Sequence, residues 1–233
     1  MGRIVAIGGG SFKSTELINR YALDLTKKEN PNVLFIPTAH RDDNKYIAEF
    51  TEAFEALGAK VSTLTLIKKE YTEAQIDSLL DSADFIYVGG GNAVYMMNVW
   101  KKSGLDVKLK NVYKSDGAVL AGNGSGALCW FCCGYSNSHY NGGETDWQYI
   151  WADNMLDFHH TAVCPHYNDD GRANFDIRLM EKEIPGYGLE DNVALIQIGE
   201  HTEFVASHPK ARAFYLIYLN GELVKKEINL IYL

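Results

Sequence analysis

Three times before residue 127, a short apolar run ends in a cluster of glycines. Residues 4–7 (Ile-Val-Ala-Ile) lead into Gly8-Gly9-Gly10. Residues 85–88 (Phe-Ile-Tyr-Val) lead into Gly89-Gly90-Gly91, and residues 118–121 (Ala-Val-Leu-Ala) lead into Gly122-Asn123-Gly124-Ser125-Gly126. Residues 85–88 have no polar face, which suits a parallel strand buried on both sides. Further strands are expected at 33–36 and 61–66. Helical patterns lie between them: from Ser14 or Thr15 to about Lys28, from Asp42 or Asp43 to Leu57, from Thr72 to Ala83, through Val94, Met96, Met97 and Trp100, and from about Leu105 to Lys114. Gly58 stands where a helix favours glycine at its end. Strand and helix alternating in this way predict a parallel sheet with helices on both faces. Sites in such sheets lie beyond the carboxyl ends of the strands, where the three glycine turns converge.

After Gly134 the alternation stops. Residues 135–153 are polar, aromatic and glycine-containing, and a long irregular segment in a compact domain is commonly functional. Residues 161–164 read as a short strand ending at Pro165-His166-Tyr167, with a helix expected over about 169–182. Residues 193–198, 203–206, 213–218 and 222–227 read as strands joined by turns, and Asn220-Gly221 has the residue types of a type I′ hairpin turn. The expected fold is α/β: a doubly wound, mostly parallel sheet with helices on both faces and a C-terminal antiparallel extension. No linker or repeat interrupts it, so residues 1–233 are read as a single domain.

Residues 118–131 place a strand, a sharp corner and an apolar run able to start a helix, the layout of the G-x-S-x-G nucleophile elbow. Gly122 and Gly126 hold the crowded flanking places. The apex between them is Gly124 instead of serine, and the hydroxyl stands one place on, at Ser125. The first glycine turn is not a nucleotide motif: Lys13 occupies the place of the third glycine in G-x-G-x-x-G, and no G-K-[ST] follows.

Composition narrows the function. With 46% hydrophobic and 22% charged residues, the chain is globular in character and long enough to bury a core without disulfides. A formal net charge of -8, with no basic stripe among the 14 tyrosines, argues against a nucleic-acid partner. Residues 4–7 are too short for a signal-peptide core, and no apolar run approaches the ~18 residues of a membrane span. A cytoplasmic protein without a membrane partner, monomer or homodimer, is expected. Cys129, Cys132, Cys133 and Cys164 are read as buried free thiols of a reducing compartment. A zinc site would need a further ligand pair, for which Cys164 and His166 are available, and the expectation is no metal and no cofactor.

Acyl-transfer hydrolysis at such a corner needs a nucleophile, a histidine to take its proton, a group to orient the histidine, and N–H donors for the oxyanion. His166, straight after Pro165 at a strand end, is the candidate base. The candidate oxyanion donors are the N–H groups of Gly90 or Gly91 together with that of Ser125.

Residues 121–131 (A-G-N-G-S-G-A-L-C-W-F) resemble the G-N-S-A-G-A-x-C-W-F segment of the peptidase E-like family of aspartyl dipeptidases and cyanophycinases. Four further segments agree in order: residues 4–10; residues 85–92, with Y-V-G-G-G-N; residues 134–138, against G-H-S-D-S; and residues 164–167, against C-P-H-Y-D. Residues 211–221 are also similar. The resemblance implies a sheet related to the class I glutamine amidotransferases. It also implies a cofactor-free serine peptidase whose best-known members release N-terminal aspartate from dipeptides.

The departures fall on the chemistry. Aligning the flanking glycines puts the family's serine on Gly124 and its triad aspartate on Asn137, with His166 carried over intact. Two rescues are open: Ser125 acting in a shifted register, and Glu144 or Asp146 replacing the acid. Cys129, Cys132 and Cys133 are weaker substitutes, set one to two turns into the expected helix. The sequence thus supports a peptidase E-like serine hydrolase acting on small or N-terminal-aspartyl peptides, with its nucleophile and acid positions substituted. The alternative is a catalytically impaired relative that binds peptides or amino acids as a regulatory module. An amidotransferase-like cysteine enzyme lacks a cysteine at the apex.

Overall fold

The computed structural model describes residues 2–138 and 149–233. The first half alternates as expected: β1 (Arg3–Ile7), α1 (Glu16–Asp24), β2 (Asn32–Ile36), α2 (Asn44–Ala56), β3 (Lys60–Thr63), α3 (Glu73–Ser82), β4 (Phe85–Val88), α4 (Ala93–Ser103), α5 (Leu105–Ser115) and β5 (Val119–Asn123). The second half holds α6 (Ser125–Leu128), β6 (Phe131–Ser136), β7 (Ile150–Asp153), β8 (His159–Pro165), α7 (Phe175–Arg178), β9 (Gly186–Leu189), β10 (Val193–Ile198), β11 (His201–Ala206), β12 (Ala213–Leu219), β13 (Glu222–Glu227) and β14 (Ile231–Tyr232). Side chains fix several helix starts. Asp43 accepts from the Tyr46 N–H, Asn92 accepts from the Tyr95 N–H, and Thr72 and Gln75 form a reciprocal capping box.

Eight strands make the main sheet, in the order β14-β11-β10-β1-β5-β4-β2-β3. Strands β1 to β5 within it run parallel, and β10 and β11 extend it antiparallel. Alternate residues of each central strand feed two cores. Ile4, Leu34, Ile86 and Leu120 pack against Ile76, Met96, Trp100 and Leu109 of α3, α4 and α5. Val5, Phe35, Tyr87 and Val119 pack against Ile18 of α1 and Phe50 and Phe54 of α2. This two-sided burial is the reason the strands carry no polar face. No helix among the described residues is long and apolar enough to cross a membrane.

Several local expectations are corrected. The apolar run after the corner makes only the one-turn α6. Phe131, Cys132 and Cys133 then enter β6, because a short apolar run suits a strand as well as a helix. Residues 169–182 are broken into a 3₁₀ turn (Asp170–Arg172), the short α7 and a second 3₁₀ turn (Leu179–Lys182). The C-terminal strands are shared between two sheets. β10 and β11 join the main one, while β12 and β13 complete a second, six-stranded sheet of order β13-β12-β9-β8-β6-β7. The irregular segment carries strand at both of its ends, β6 and β7. Glu144 and Asp146 lie outside the described residues.

Candidate active site

The strand ends of the two sheets meet. In the main sheet Ile7 pairs with Asn123, and the Gly124 N–H donates to the Ile7 carbonyl at 3.0 Å. In the second sheet β8 and β9 run parallel with Pro165 beside Leu189. The chain past these two ends is tied to the first glycine turn: the His166 N–H donates to Gly8 O at 2.9 Å, and the Asn192 N–H to Gly9 O at 2.9 Å. The Asn123 side-chain amide also donates to Gly10 O, at 2.9 Å. Four chain segments thus converge on one point.

The corner has the backbone of a nucleophile elbow. Gly124 takes φ +58° and ψ −115°, a conformation that strains any residue with a Cβ. The flanking glycines are sterically required: a Cβ on Gly122 would stand 2.2 Å from Gly126 O, and one on Gly126 2.0 Å from Val88 O. The vacant side-chain direction at the apex faces the histidine. A Cβ on Gly124 would stand 3.0 Å from His166 Nε2.

His166 is itself in a left-handed conformation, φ +52°, uncommon for a residue other than glycine. Its Nδ1 lies 2.7 Å from Asp191 Oδ1, with both side chains about one-third exposed. With the Nδ1 proton toward the carboxylate, the neutral ring directs its Nε2 lone pair at the corner. The hydrogen bond from His166 holds the Asp191 carboxyl below its ordinary range, against partial burial. Asn168 Oδ1 in turn accepts the Asp191 N–H at 2.8 Å.

The orienting partner of His166 is therefore Asp191, not Asn137, and the sequence reading missed it. Asn137 lies just past the end of β6, half-buried, beside Ser138. Ser138 Oγ accepts the Ala93 N–H at 3.1 Å, so this segment secures the start of α4. Asp191 stands two residues beyond a strand that runs parallel to the strand of His166, a pairing that no local pattern announces. The alternating glycines of Gly186–Leu189 hid that strand.

Ser125 is in the corner but is not paired with His166. Its hydroxyl donates to the carbonyl of Gly91, and the residue is only 8% exposed. Of the expected oxyanion donors, Gly90 gives its N–H to Tyr46 Oη at 3.1 Å. Ser125 opens α6, so its amide has no partner within that helix. The cysteines are not poised as nucleophiles here. Cys129 is buried with its thiol on Gly126 O at 3.1 Å, and burial pushes it well above the ordinary range. Burial likewise pushes Cys164 up to about 12. Cys132 and Cys133 lie on β6.

Tyr167 and Glu190, the chain neighbours of His166 and Asp191, line a cavity of about 390 Å³ together with Asp169, Asp170, Asp176, Arg212 and Lys225, among others; His166 and Asp191 themselves do not line it. Glu190 is matched by Arg212 and Asp176 by Lys225, each at 2.9 Å. Four carboxylates against two cations leave this wall net negative.

Residues 4–205 match the profile of peptidase family S51. The chain is 32% identical over 240 residues to an uncharacterized peptidase, YgaJ of Bacillus subtilis strain 168, covering 100% of both. A shorter match, 32% identical over 102 residues, is to an uncharacterized peptidase, Lmo0363, of Listeria monocytogenes serovar 1/2a, over 43% of this chain and 48% of that one. Among solved structures, a peptidase from an acI-B1 actinobacterium superposes with a TM-score of 0.73, over 98% of this chain and 96% of that one, at 19% identity. A Listeria monocytogenes EGD-e protein assigned as a peptidase E gives 0.62, over 88% and 98%, at 22% identity. At these identities the two structures speak for the fold.

Proposed function

Since this chain belongs to peptidase family S51, we propose that it binds short peptides in the cleft above the corner and that hydrolysis there is impaired for want of an attacking oxygen. One observation carries this reading: His166 Nε2 faces an apex that has no side chain, 3.0 Å from where a Cβ would begin. In this reading His166 is the base and Asp191 its orienting acid, and the hydroxyl they would act on is missing at residue 124.

The chemistry follows from that arrangement. In a serine peptidase the imidazole removes the hydroxyl proton as the oxygen attacks the carbonyl, and the acid steadies the imidazolium. Here Nε2 can act only on a water molecule, without an acyl-enzyme intermediate to divide the barrier. Losing one member of such a triad leaves roughly 10³–10⁴-fold catalysis over water, from binding and oxyanion stabilisation. For Ser125 to attack, its hydroxyl would have to leave Gly91 O and swing toward the histidine. In this reading the N–H groups of Gly91 and Ser125 receive the scissile carbonyl. The net-negative cavity that begins at Tyr167, next in the chain to His166, receives the peptide's α-ammonium group, which it suits better than an acidic side chain.

The test uses the wild-type protein and a library of Asp-X and other dipeptides, each also N-acetylated. Thermal stabilisation by free dipeptides, weaker with the acetylated ones and with no product formed over hours, is the expected result. Rapid turnover, or stabilisation indifferent to acetylation, contradicts the reading.

A further inference from the structure

At the end of β8 remote from His166, side chains from separate parts of the chain converge. The Cys132 sulfur on β6, a carboxylate oxygen of Asp157 and a ring nitrogen of His160 on β8 all lie within 4.8 Å of one another. At about 3.3 Å per strand residue, the six steps from His160 to His166 put this cluster about 20 Å from the corner. It is a separate site, independent of the peptidase reading.

We propose that Cys132, Asp157 and His160 form a binding site for a zinc-class divalent transition metal, with solvent in the fourth position. A thiolate, an imidazole and a carboxylate are the three side-chain donors zinc takes. The sulfur selects against calcium and magnesium, which want oxygen. The groups already stand near ligand spacing. His160 Nδ1 is 2.9 Å from Asp157 Oδ1, and bonds of about 2.0–2.3 Å to one tetrahedral ion need donors slightly further apart. On binding, the Cys132 thiol proton is released to solvent, and His160 coordinates as the neutral imidazole through one ring nitrogen while its proton stays on the other.

The backbone holds these groups in place without the ion. Leu156 N–H donates to Cys129 O at 3.0 Å, Asp157 N–H to Phe131 O at 3.0 Å and Phe158 N–H to Trp130 O at 2.8 Å. These bonds staple the turn that carries the carboxylate onto the segment that leads to the thiol. Asp157 takes φ +58°, a left-handed position that aspartate adopts more readily than most non-glycine residues. The β6–β8 register shifts between Phe131 and Cys133. An irregularity of this kind re-aims a side chain, here that of Cys132.

The site is open to solvent. The Asp157 and His160 side chains are 45% and 76% exposed, and Cys132 and Asp157 border a cavity of about 730 Å³. Of the other charges on that cavity, Lys182 is paired with Asp153 at 2.5 Å, while Lys101 and Lys110 are accompanied by Asp106. Cys133 Sγ lies 3.8 Å from Cys132 Sγ but is outside the three-donor group. His159 turns aside, its Nδ1 2.9 Å from Thr161 Oγ1.

The test takes the full chain, reduced and stripped with a chelator, and titrates it with cobalt(II) followed by zinc. One equivalent of cobalt should raise a near-ultraviolet thiolate-to-cobalt band, which zinc then removes, and zinc should raise the melting temperature. Cys132→Ser should abolish the band. His160→Ala and Asp157→Asn, the latter compatible with the left-handed turn, should weaken binding at least about ten-fold. His159→Ala should bind like the wild type. Metal-free melting temperatures matching the wild type confirm that each variant is folded. No band in the wild type overturns the proposal. So does a band that survives Cys132→Ser, or wild-type affinity in both the His160 and Asp157 variants.

Discussion

A Cβ on Gly9 would stand 1.9 Å from Asp191 Oδ1 and 2.3 Å from His166 Nδ1. The first glycine turn, which carries no nucleotide motif, is the surface on which the histidine–carboxylate pair lies. Both partners sit just past the ends of β8 and β9, and the turn brings those ends against the main sheet. The pair can reach the corner only because this position has no side chain.

Gly9→Ala should therefore part His166 from Asp191 before it disturbs anything else. The expected stability loss is about 1–3 kcal/mol, as for a methyl forced into a filled site. Proton NMR checks the cause: the downfield resonance of the His166 Nδ1 proton, present in the wild type, should vanish or move upfield in the variant.

Asp191 and Asn137 make opposite predictions as acids. In a Gly124→Ser background, Asp191→Asn should lower kcat by about 10⁴, the size of the effect when a triad carboxylate becomes an amide. Adding Asn137→Asp to the same background should change kcat by less than about ten-fold, because residue 137 is not bonded to the histidine. Steady-state kinetics on a fluorogenic dipeptide separates the two.

The depressed carboxyl of Asp191 has a sign in pH. Its native state holds the proton less tightly than the unfolded chain, whose aspartates titrate near ~3.9. The stability it contributes is thus present above that value and is lost as the pH falls through the lower native one. Urea midpoints of the wild type and Asp191→Asn should differ at pH 7 and converge in the acid range below about pH 4. A gap that widens in acid would contradict the assignment.

The hydroxyl of Ser125 is predicted to be structural. Ser125→Ala removes the hydrogen bond to Gly91 O and should cost about 0.5–1.5 kcal/mol by urea denaturation. Any residual peptide hydrolysis by the wild type should survive the change.

Much of this was legible in the sequence, because the local signals were strong. Phe85–Val88 has no polar face and lies buried in the sheet centre, and Thr72 caps α3 through its capping box. The corner was legible because its crowding admits only glycine at 122 and 126. His166 was legible because a strand end after proline aims a side chain outward. Asp191 was not, because its place depends on a non-local pairing between β8 and β9, and Gly186 and Gly188 give that strand no apolar alternation. Cys132 was misplaced for a related reason: residues 127–131 are too short a run to tell helix from strand. The cluster it forms with Asp157 and His160 needs the sheet register, which local periodicity does not contain.

Gly124→Ser tests the central claim most directly. A serine Cβ at 124 begins 3.0 Å from His166 Nε2, so the ring has to yield by a few tenths of an ångström. The account predicts that the wild type is not labelled by a fluorophosphonate. The variant should be labelled at residue 124 and should cleave dipeptides with kcat/KM raised at least about 10³-fold. Labelling of the wild type at Ser125, or a folded, peptide-binding Gly124→Ser protein that neither labels nor cleaves, would contradict it.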